Sequence, residues 1–264
     1  MMLYNFFISI GRQIISLMHF LGGLSKLAGQ TLYFTFTPSN KNHRDRIFEQ
    51  AKKAGFDSLP IVSLLALFIG IIFALQTAIF MQRLGSELYI ASIVALAVVR
   101  ELGPVITALV VAGRVGAAIT AELGTMQVTE QIDALETLAT NPIKYLVVPR
   151  LLALTLVLPL LTIYADFVGI MGSYFICVHK LGINSNLYFN VTKEALQYKD
   201  LFTGLFKTVF FGMVIAFVSC YEGFSVEGGA EGVGRATTRS VVTSFILIIM
   251  ADCFFTALFY FIIP

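Results

Sequence analysis

The sequence is short of charge. Only 13% of its 264 residues are Asp, Glu, Lys or Arg, whereas 57% are hydrophobic. A soluble domain usually carries about 25% charged residues, so this chain has too little polar surface to be covered by water. The net charge of +2 and the absence of a clustered basic stripe also argue against nucleic acid as a partner. We therefore predict an integral membrane protein.

Cysteine and histidine are scarce and scattered. Cys177, Cys220 and Cys253 lie far apart in apolar stretches, and no pair has the spacing of metal ligands or of a disulfide framework. The histidines form no Ser-His-Asp or Cys-His grouping either. We predict no metal site and no enzymatic active site in this chain.

A nucleotide-binding phosphate loop is also missing. The sequence contains no G-x-x-x-x-G-K-[ST] motif. The glycine cluster Gly228 to Gly234 lacks the lysine and hydroxyl that bind phosphate and magnesium, and it follows an apolar stretch rather than a strand. We interpret it as a tight turn, so no cofactor is expected in this chain.

Long apolar runs dominate what is present. A bilayer core needs about 20 apolar residues per helix, and five stretches qualify: Pro60 to Met81, Leu88 to Gly113, Leu151 to Val178, Leu201 to Tyr221, and Ser240 to Ile263. Leu3 to Phe36 is interrupted by charges and glycines, which favours a helix in the membrane interface, although its length would permit a sixth span. The fold class predicted is all-α integral membrane, with an N-terminal interfacial helix and five or six transmembrane helices.

Basic residues set the orientation. Most Lys and Arg lie before Asp57, in the loop after the second span and before the last span, whereas the opposite side holds Arg83 and three lysines between 180 and 200. The richer side is normally cytoplasmic. We predict a cytoplasmic N-terminus, a C-terminus on the far side, and a far-side (periplasmic) segment at about 180–200.

The second span contains Arg100-Glu101-Leu102-Gly103-Pro104. A central arginine costs about 2.5–3.5 kcal/mol on insertion scales and usually marks function. Neighbouring residues point about 100° apart on a helix, so Arg100 and Glu101 should have separate partners or face a cavity. Gly103 and Pro104 should kink the helix there. We favour a substrate cavity, and a purely structural ion pair is the alternative.

Several other residues in the spans are small or polar. Gly113 and Gly116 follow the predicted kink in a small-residue pattern that lets helices pack closely. Lys207 should snorkel outward from the end of its span. Asp166 and Asp252 lie deeper, where they could pair with basic residues or carry protons.

The cytoplasmic segment at about 125–140 predicts an amphipathic helix. Apolar residues recur at helical spacing, with acidic residues on another face, and Asn141-Pro142 ends the pattern. A docking helix for a basic groove on a soluble partner fits this pattern, and a solvated surface helix is the alternative.

Two long motifs resemble the MlaE (YrbE) permease family. They are RELGPVITALVVAGRVGAAITAELGTMQVTEQIDALETLATNPIKYLVVPR from Arg100 to Arg150, and GGAEGVGRATTRSVV from Gly228 to Val242. With chain length and span pattern, the likeness covers roughly Ser58 to the C-terminus. Residues 1–57 are less diagnostic and are interpreted as interfacial helices and a cytoplasmic linker, with 58–264 as the permease domain.

The resemblance implies an ABC transporter in the bacterial inner membrane. Two copies of the permease would assemble with two ATPase subunits, which bind ATP and Mg, and with a ring of MCE-domain proteins. Such systems move phospholipid or similar lipids between the inner and outer membranes and maintain outer-membrane lipid asymmetry. This chain would therefore be a homodimeric transmembrane subunit and not an enzyme.

The same resemblance assigns residue roles. Arg100 and Glu101 would line an outward-opening lipid cavity at the dimer interface, with Arg100 suited to phosphate and Gln76 and Ile79 as weaker candidates. The coupling helix that docks on the ATPase would run from Glu130 to Leu138, with these contact residues: Glu130, Ile132, Asp133, Leu135 and Glu136.

Two alternatives from other classes stay open. An ion-coupled secondary transporter would depend on Asp166 or Asp252, and no ATPase would copurify with it. A passive membrane scaffold for MCE proteins would tolerate the loss of Arg100 and Glu101.

Overall fold

The computed structural model describes residues 2–37 and 42–262, and helices dominate both ranges. In chain order they are α1 (Met2–Thr35), α2 (Asn42–Gly55), α3 (Leu59–Arg83), α4 (Ile90–Ala97), α5 (Gly103–Val111), α6 (Ala117–Val128), α7 (Gln131–Thr137), α8 (Val148–His179), α9 (Ser185–Ala195), α10 (Tyr198–Phe224) and α11 (Gly229–Ile262). Three π-helical turns, Val98–Leu102, Ala112–Gly116 and Ile143–Val147, join or precede these helices. Neither described range contains a β-strand.

Five helical segments are long and apolar enough to cross a membrane. They are Arg44–Arg83, Ile90–Val128, Ile143–His179, Tyr198–Phe224 and Gly229–Phe261. This confirms the prediction of an all-α membrane fold with at least five spans. Helices suit a membrane because each one satisfies its own backbone hydrogen bonds where no water is present. Over its described residues, α1 is not among the five.

Helix α8 forms the centre of the bundle. Its most apolar window is 67% buried, against 17% for that of α11, and it packs against α2, α3 and α10. Close approach to α3 depends on Gly70, where an added Cβ would lie 1.9 Å from the Gly169 carbonyl oxygen. In lipid the hydrophobic effect does not drive helices together, so helices associate by close packing, which small residues at such crossings allow.

The two N-terminal helices contact one end of this bundle. Phe20 of α1 packs edge-on against Tyr221 of α10, with ring centroids 5.2 Å apart. Arg46 of α2 lies over the ring of Tyr145, 4.0 Å from its centroid, a cation–π contact. Helix α1 therefore contacts the end of α10, and α2 contacts the start of the third candidate span.

The connecting segments differ in extent from their predictions. The predicted single helix at about 125–140 is divided, because α6 runs to Val128, Glu130 has φ 58° and α7 ends at Thr137. A left-handed residue interrupts an α-helix. The segment predicted at about 180–200 holds α9, whose first turn is capped by Asn184. The glycine turn is shorter than Gly228 to Gly234, since α11 begins at Gly229.

Candidate functional site

The π-helical turn Val98–Leu102 presents Arg100 and Glu101 inside the second span. Arg100 lies ten residues after the start of α4 at Ile90, which corresponds to a depth of about 15 Å at 1.5 Å per residue. The Gly103 N–H bonds to the Val98 carbonyl, five residues back. Such π turns are frequent at functional sites because the extra residue redirects side chains.

Gly103 and Pro104 follow this turn and are both buried. The helix continues through them as one candidate span from Ile90 to Val128, so they adjoin a π turn within a continuous helix. An added Cβ at Gly103 would lie 1.7 Å from Asp166 Oδ1. A larger residue at position 103 would therefore have to displace the Asp166 side chain of α8.

Arg100 is paired with Asp200 at the start of α10. Its Nε donates to Asp200 Oδ1 at 2.7 Å, and its Nη2 donates to the same oxygen. The other carboxylate oxygen, Oδ2, accepts the Gln197 backbone N–H at 2.9 Å and completes a capping box. The Arg100 side chain is 49% exposed and that of Asp200 is 2% exposed.

Lys207 of α10 occupies the interior of the same site. Its ammonium donates to Glu101 Oε2 at 2.7 Å, to Thr256 Oγ1 at 2.7 Å and to the Arg100 carbonyl at 3.3 Å, and it lies 2.9 Å from Asp252 Oδ1. The side chain is 2% exposed. The prediction that Lys207 snorkels outward was therefore wrong, because the carboxylates of two neighbouring spans neutralise it in place.

A cavity of about 540 Å³ opens beside these groups. This volume falls within the range of about 300–1,000 Å³ for small-molecule sites. Charged, hydroxyl and aromatic side chains together line it: Arg100, Glu101, Lys199, Asp200, Thr203, Lys207, Thr256, Phe259 and Tyr260. Such a cavity can bind a molecule that has a charged end and an apolar end.

The structure does not bring all the predicted cavity residues together. Gln76 and Ile79 are exposed on α3 and do not line this cavity within one chain. Asp252 pairs with Lys207, whereas Asp166 is 5% exposed and its Oδ1 has no hydrogen-bond partner in the described part of the chain.

Sequence reasoning missed Asp200 and Thr256. Asp200 was assigned to the far-side segment, although the Gln197-x-x-Asp200 pattern is a helix-start signal. Thr256 lies in an apolar run, and its Oγ1 donates to Glu101 Oε1 at 3.0 Å. Nothing in the local sequence around Thr256 indicates that contact.

The short helix α7 presents two different faces. Ile132 is buried and Leu135 half-buried, and both pack on the apolar core of the bundle. Glu130, Asp133 and Glu136 are exposed. Leu138, just after the helix, is 74% exposed. The outer face therefore combines acidic side chains with an apolar one, while Ile132 and Leu135 attach the helix to the membrane domain.

Two arginines join the second candidate span to neighbouring parts of the bundle. Arg114 donates to Ser58 Oγ at 2.8 Å and lies 3.4 Å from Asp57 Oδ2. Arg150, with a side chain 3% exposed, lies 3.0 Å from Glu122 Oε2. These contacts connect the second span to the start of α3 and to α8.

The two predicted packing glycines lie in the π turn Ala112–Gly116. An added Cβ at Gly116 would lie 2.9 Å from Ser219 Oγ, so this residue allows close packing on α10. At Gly113 the nearest atom would be Phe245 Cζ at 3.8 Å, which is ordinary contact. Only Gly116 is therefore at a close helix crossing.

Known proteins match the chain over most of its length. Residues 47–258 match the family model described as Permease MlaE. A probable ABC transporter permease protein of Rickettsia conorii is 42% identical over 98% of this chain and 99% of its own length. The intermembrane phospholipid transport system permease protein MlaE of Haemophilus influenzae is 33% identical over 98% and 99%.

A plant protein is also similar. The chloroplastic protein TRIGALACTOSYLDIACYLGLYCEROL 1 of Arabidopsis thaliana is 40% identical over 83% of this chain and 63% of its own length. The family match, the five spans and the polar cavity in the membrane domain agree with one another. The chain belongs to the MlaE permease family.

Proposed function

We propose that this chain is the transmembrane subunit of an ABC transporter that moves phospholipid, or a similar lipid, between the inner and outer membranes. The observation that carries the proposal is the cavity beside Arg100 within the second span. The name of the Haemophilus influenzae relative, which describes phospholipid transport, supports the same substrate class. Transport of this kind would maintain the lipid asymmetry of the outer membrane.

Arg100 is the residue proposed to bind the lipid phosphate. Its guanidinium is half-exposed, and charge-assisted contacts from arginine to phosphate are among the stronger hydrogen bonds in proteins. Phe259 and Tyr260 line the same cavity and would contact acyl chains. Glu101 contributes to the charged end of the cavity and is kept in place by Lys207 and Thr256.

Energy would come from a separate ATPase subunit that binds ATP and Mg. The outer face of α7 would dock on it through Glu130, Asp133, Glu136 and the exposed Leu138. Ile132 and Leu135 pack on the bundle, so they would transmit movement of α7 rather than contact the ATPase. Closure of two ATPase subunits would draw two such helices together and compress the cavity.

A second copy of the chain would complete the cavity. Gln76 and Ile79 are exposed on α3, where they could contribute from a dimer interface. A ring of MCE-domain proteins would receive or deliver lipid on the periplasmic side. This arrangement requires an inner-membrane location with the N-terminus and α7 in the cytoplasm and the C-terminus in the periplasm.

Copurification tests the assembly. The tagged chain is extracted from its native membrane in mild detergent, and mass spectrometry identifies what accompanies it. We expect an ATPase and an MCE-domain protein in stoichiometric amounts. Replacement of Glu130, Asp133 and Glu136 by lysine should release the ATPase, whereas Glu194→Lys on the exposed side of α9 should not. Recovery of the chain alone would refute ATP-driven transport.

Substitution of Arg100 tests the cavity. Arg100→Ala should impair ATP-dependent lipid transfer in proteoliposomes that contain the whole assembly, while the assembly still forms. Arg83→Ala, at the exposed end of α3, is the matched control and should transfer lipid normally. Equal loss of assembly and transport in Arg100→Ala would make Arg100 a structural residue.

Asp166 favours a second candidate, ion-coupled transport. Unpaired ionisable groups inside a membrane domain often bind ions or protons, and Asp166 is buried with an unpartnered oxygen. If this candidate is correct, Asp166→Asn abolishes transport and an imposed proton gradient drives it without ATP. Transport that needs ATP and survives Asp166→Asn excludes it.

A further inference from the structure

The contact between Arg100 and Asp200 uses only one carboxylate oxygen. Arginine usually pairs with a carboxylate through two parallel bonds, one to each oxygen. Here Nε and Nη2 both donate to Oδ1, while Oδ2 accepts the Gln197 N–H that caps α10. Nη1 donates to no described residue. Among the described residues the guanidinium therefore keeps a donor without a partner, and it lacks the two-oxygen arrangement.

The two partners differ in their freedom to move. Asp200 is 2% exposed and is fixed by the capping box, whereas the Arg100 side chain is 49% exposed and lines the cavity. Separation of the pair would therefore move the arginine toward the cavity and leave the aspartate where it is.

The ammonium of the neighbouring Lys207 already has several partners. An ammonium group has three N–H donors, and Glu101, Thr256, Asp252 and the Arg100 carbonyl surround that of Lys207. A phosphate group that enters the cavity would have to break several contacts to reach Lys207. At Arg100 it meets Nη1, which has no partner in the part of the chain that the structure describes.

From these observations we propose that Asp200 is an exchangeable counter-ion: it holds Arg100 in the empty cavity, and the phosphate of the lipid substrate replaces it. Asp200 is thus a positioning residue that competes with phosphate for the guanidinium. The inference rests on the proposed function, because it assumes that the cavity binds a phospholipid. It adds that affinity is limited by this competition, which permits release of the lipid as Asp200 recaptures Arg100.

Native mass spectrometry of the purified, delipidated assembly tests the competition. The probes are palmitoyl-oleoyl-phosphatidylethanolamine and the diacylglycerol with the same chains, which lacks phosphate. Asp200→Asn should bind the phospholipid on the order of tenfold more tightly, as expected for interaction between contacting groups, with diacylglycerol affinity unchanged. Gln197→Ala disturbs the same cap without removing the charge, and should bind both lipids as the native chain does.

Each result separates this inference from the proposed function. If Arg100→Gln binds phosphatidylethanolamine as well as the native chain, the phosphate site itself is refuted. If Arg100→Gln weakens binding but Asp200→Asn does not strengthen it, or strengthens diacylglycerol equally, only the counter-ion role is refuted.

A double variant that removes both charges tests the inference if Asp200→Asn alone does not fold. Arg100→Gln combined with Asp200→Asn leaves neither an unpaired cation nor an unpaired anion from this contact. Its phospholipid affinity should equal that of Arg100→Gln alone, because Asp200 acts only through Arg100. Tighter binding by the double variant would overturn the inference.

Discussion

Replacement of Lys207 by methionine should destabilise the protein by about 3 kcal/mol. Lys207 neutralises Glu101 at 2.7 Å and Asp252 at 2.9 Å in the interior of the bundle. Removing one partner of a buried pair costs about 3–5 kcal/mol because a charge is left uncompensated. We take the lower end of that range, because the side chains of Glu101 and Asp252 are 39% and 20% exposed and water screens them in part.

Equilibrium unfolding in mixed micelles of SDS and a mild detergent measures this change in free energy. Lys193→Met is the matched control, since Lys193 is exposed on α9 and its replacement should cost less than about 0.5 kcal/mol. Adding Asp252→Asn to Lys207→Met should recover part of the lost stability, because one of the two unpaired carboxylates is removed.

Two results would refute the reasoning about Lys207. A Lys207→Met variant within about 1 kcal/mol of the native chain would mean that the carboxylates do not need the ammonium. Strict additivity of Lys207→Met and Asp252→Asn would mean that the two side chains do not interact, since contacting residues usually couple by about 0.5–3 kcal/mol.

Three further predictions use the same unfolding measurement. Gly103→Ala should cost about 2–3 kcal/mol, because its Cβ would lie 1.7 Å from Asp166 Oδ1 and overpacking is destabilising; Asp166→Ala should restore most of it. Glu122→Gln should cost about 1–2 kcal/mol, since it leaves the buried Arg150 guanidinium without its carboxylate. Leu138→Ser should change stability by less than about 0.5 kcal/mol but reduce ATPase copurification, because Leu138 is 74% exposed.

Each of the three has a matched control and a contradicting outcome. Gly113→Ala should be tolerated, because the nearest atom would be 3.8 Å away; equal loss in both alanine variants would contradict the packing argument at Gly103. Glu87→Gln, at an exposed position in the 3₁₀ turn Glu87–Tyr89, should be neutral. A neutral Glu122→Gln would mean that the Glu122–Arg150 pair does not stabilise the fold. Leu138→Met should keep the ATPase bound, whereas retention by Leu138→Ser would exclude Leu138 from the docking surface.

The spans were predictable because their signal is local. The hydrocarbon core imposes a length and a composition on each helix, and both can be read from consecutive residues. Arg100 and Glu101 could be selected for the same reason, since a charge inside an apolar run is costly wherever the helix points. The acidic face of α7 also follows from local spacing.

Partners across the bundle were less predictable. Whether Lys207 faces lipid or protein depends on the rotation of α10 about its axis, and an isolated apolar run does not encode that rotation. Thr256 illustrates the same limit, because its role arises only where α11 lies beside the π turn at Val98–Leu102. The break at Glu130 depends on a left-handed backbone conformation that a regular apolar pattern conceals.

The sequence by itself determined that the chain is a membrane protein, the positions of five spans, and which charged side chains are costly in lipid; it left a sixth span open. Tertiary structure alone decided how those charges combine: Arg100 with Asp200, and Lys207 with Glu101 and Asp252. The physical reason is that insertion into lipid is a property of each helix separately. Neutralising a charge inside the bundle depends on which faces meet, and packing between all the helices sets those faces.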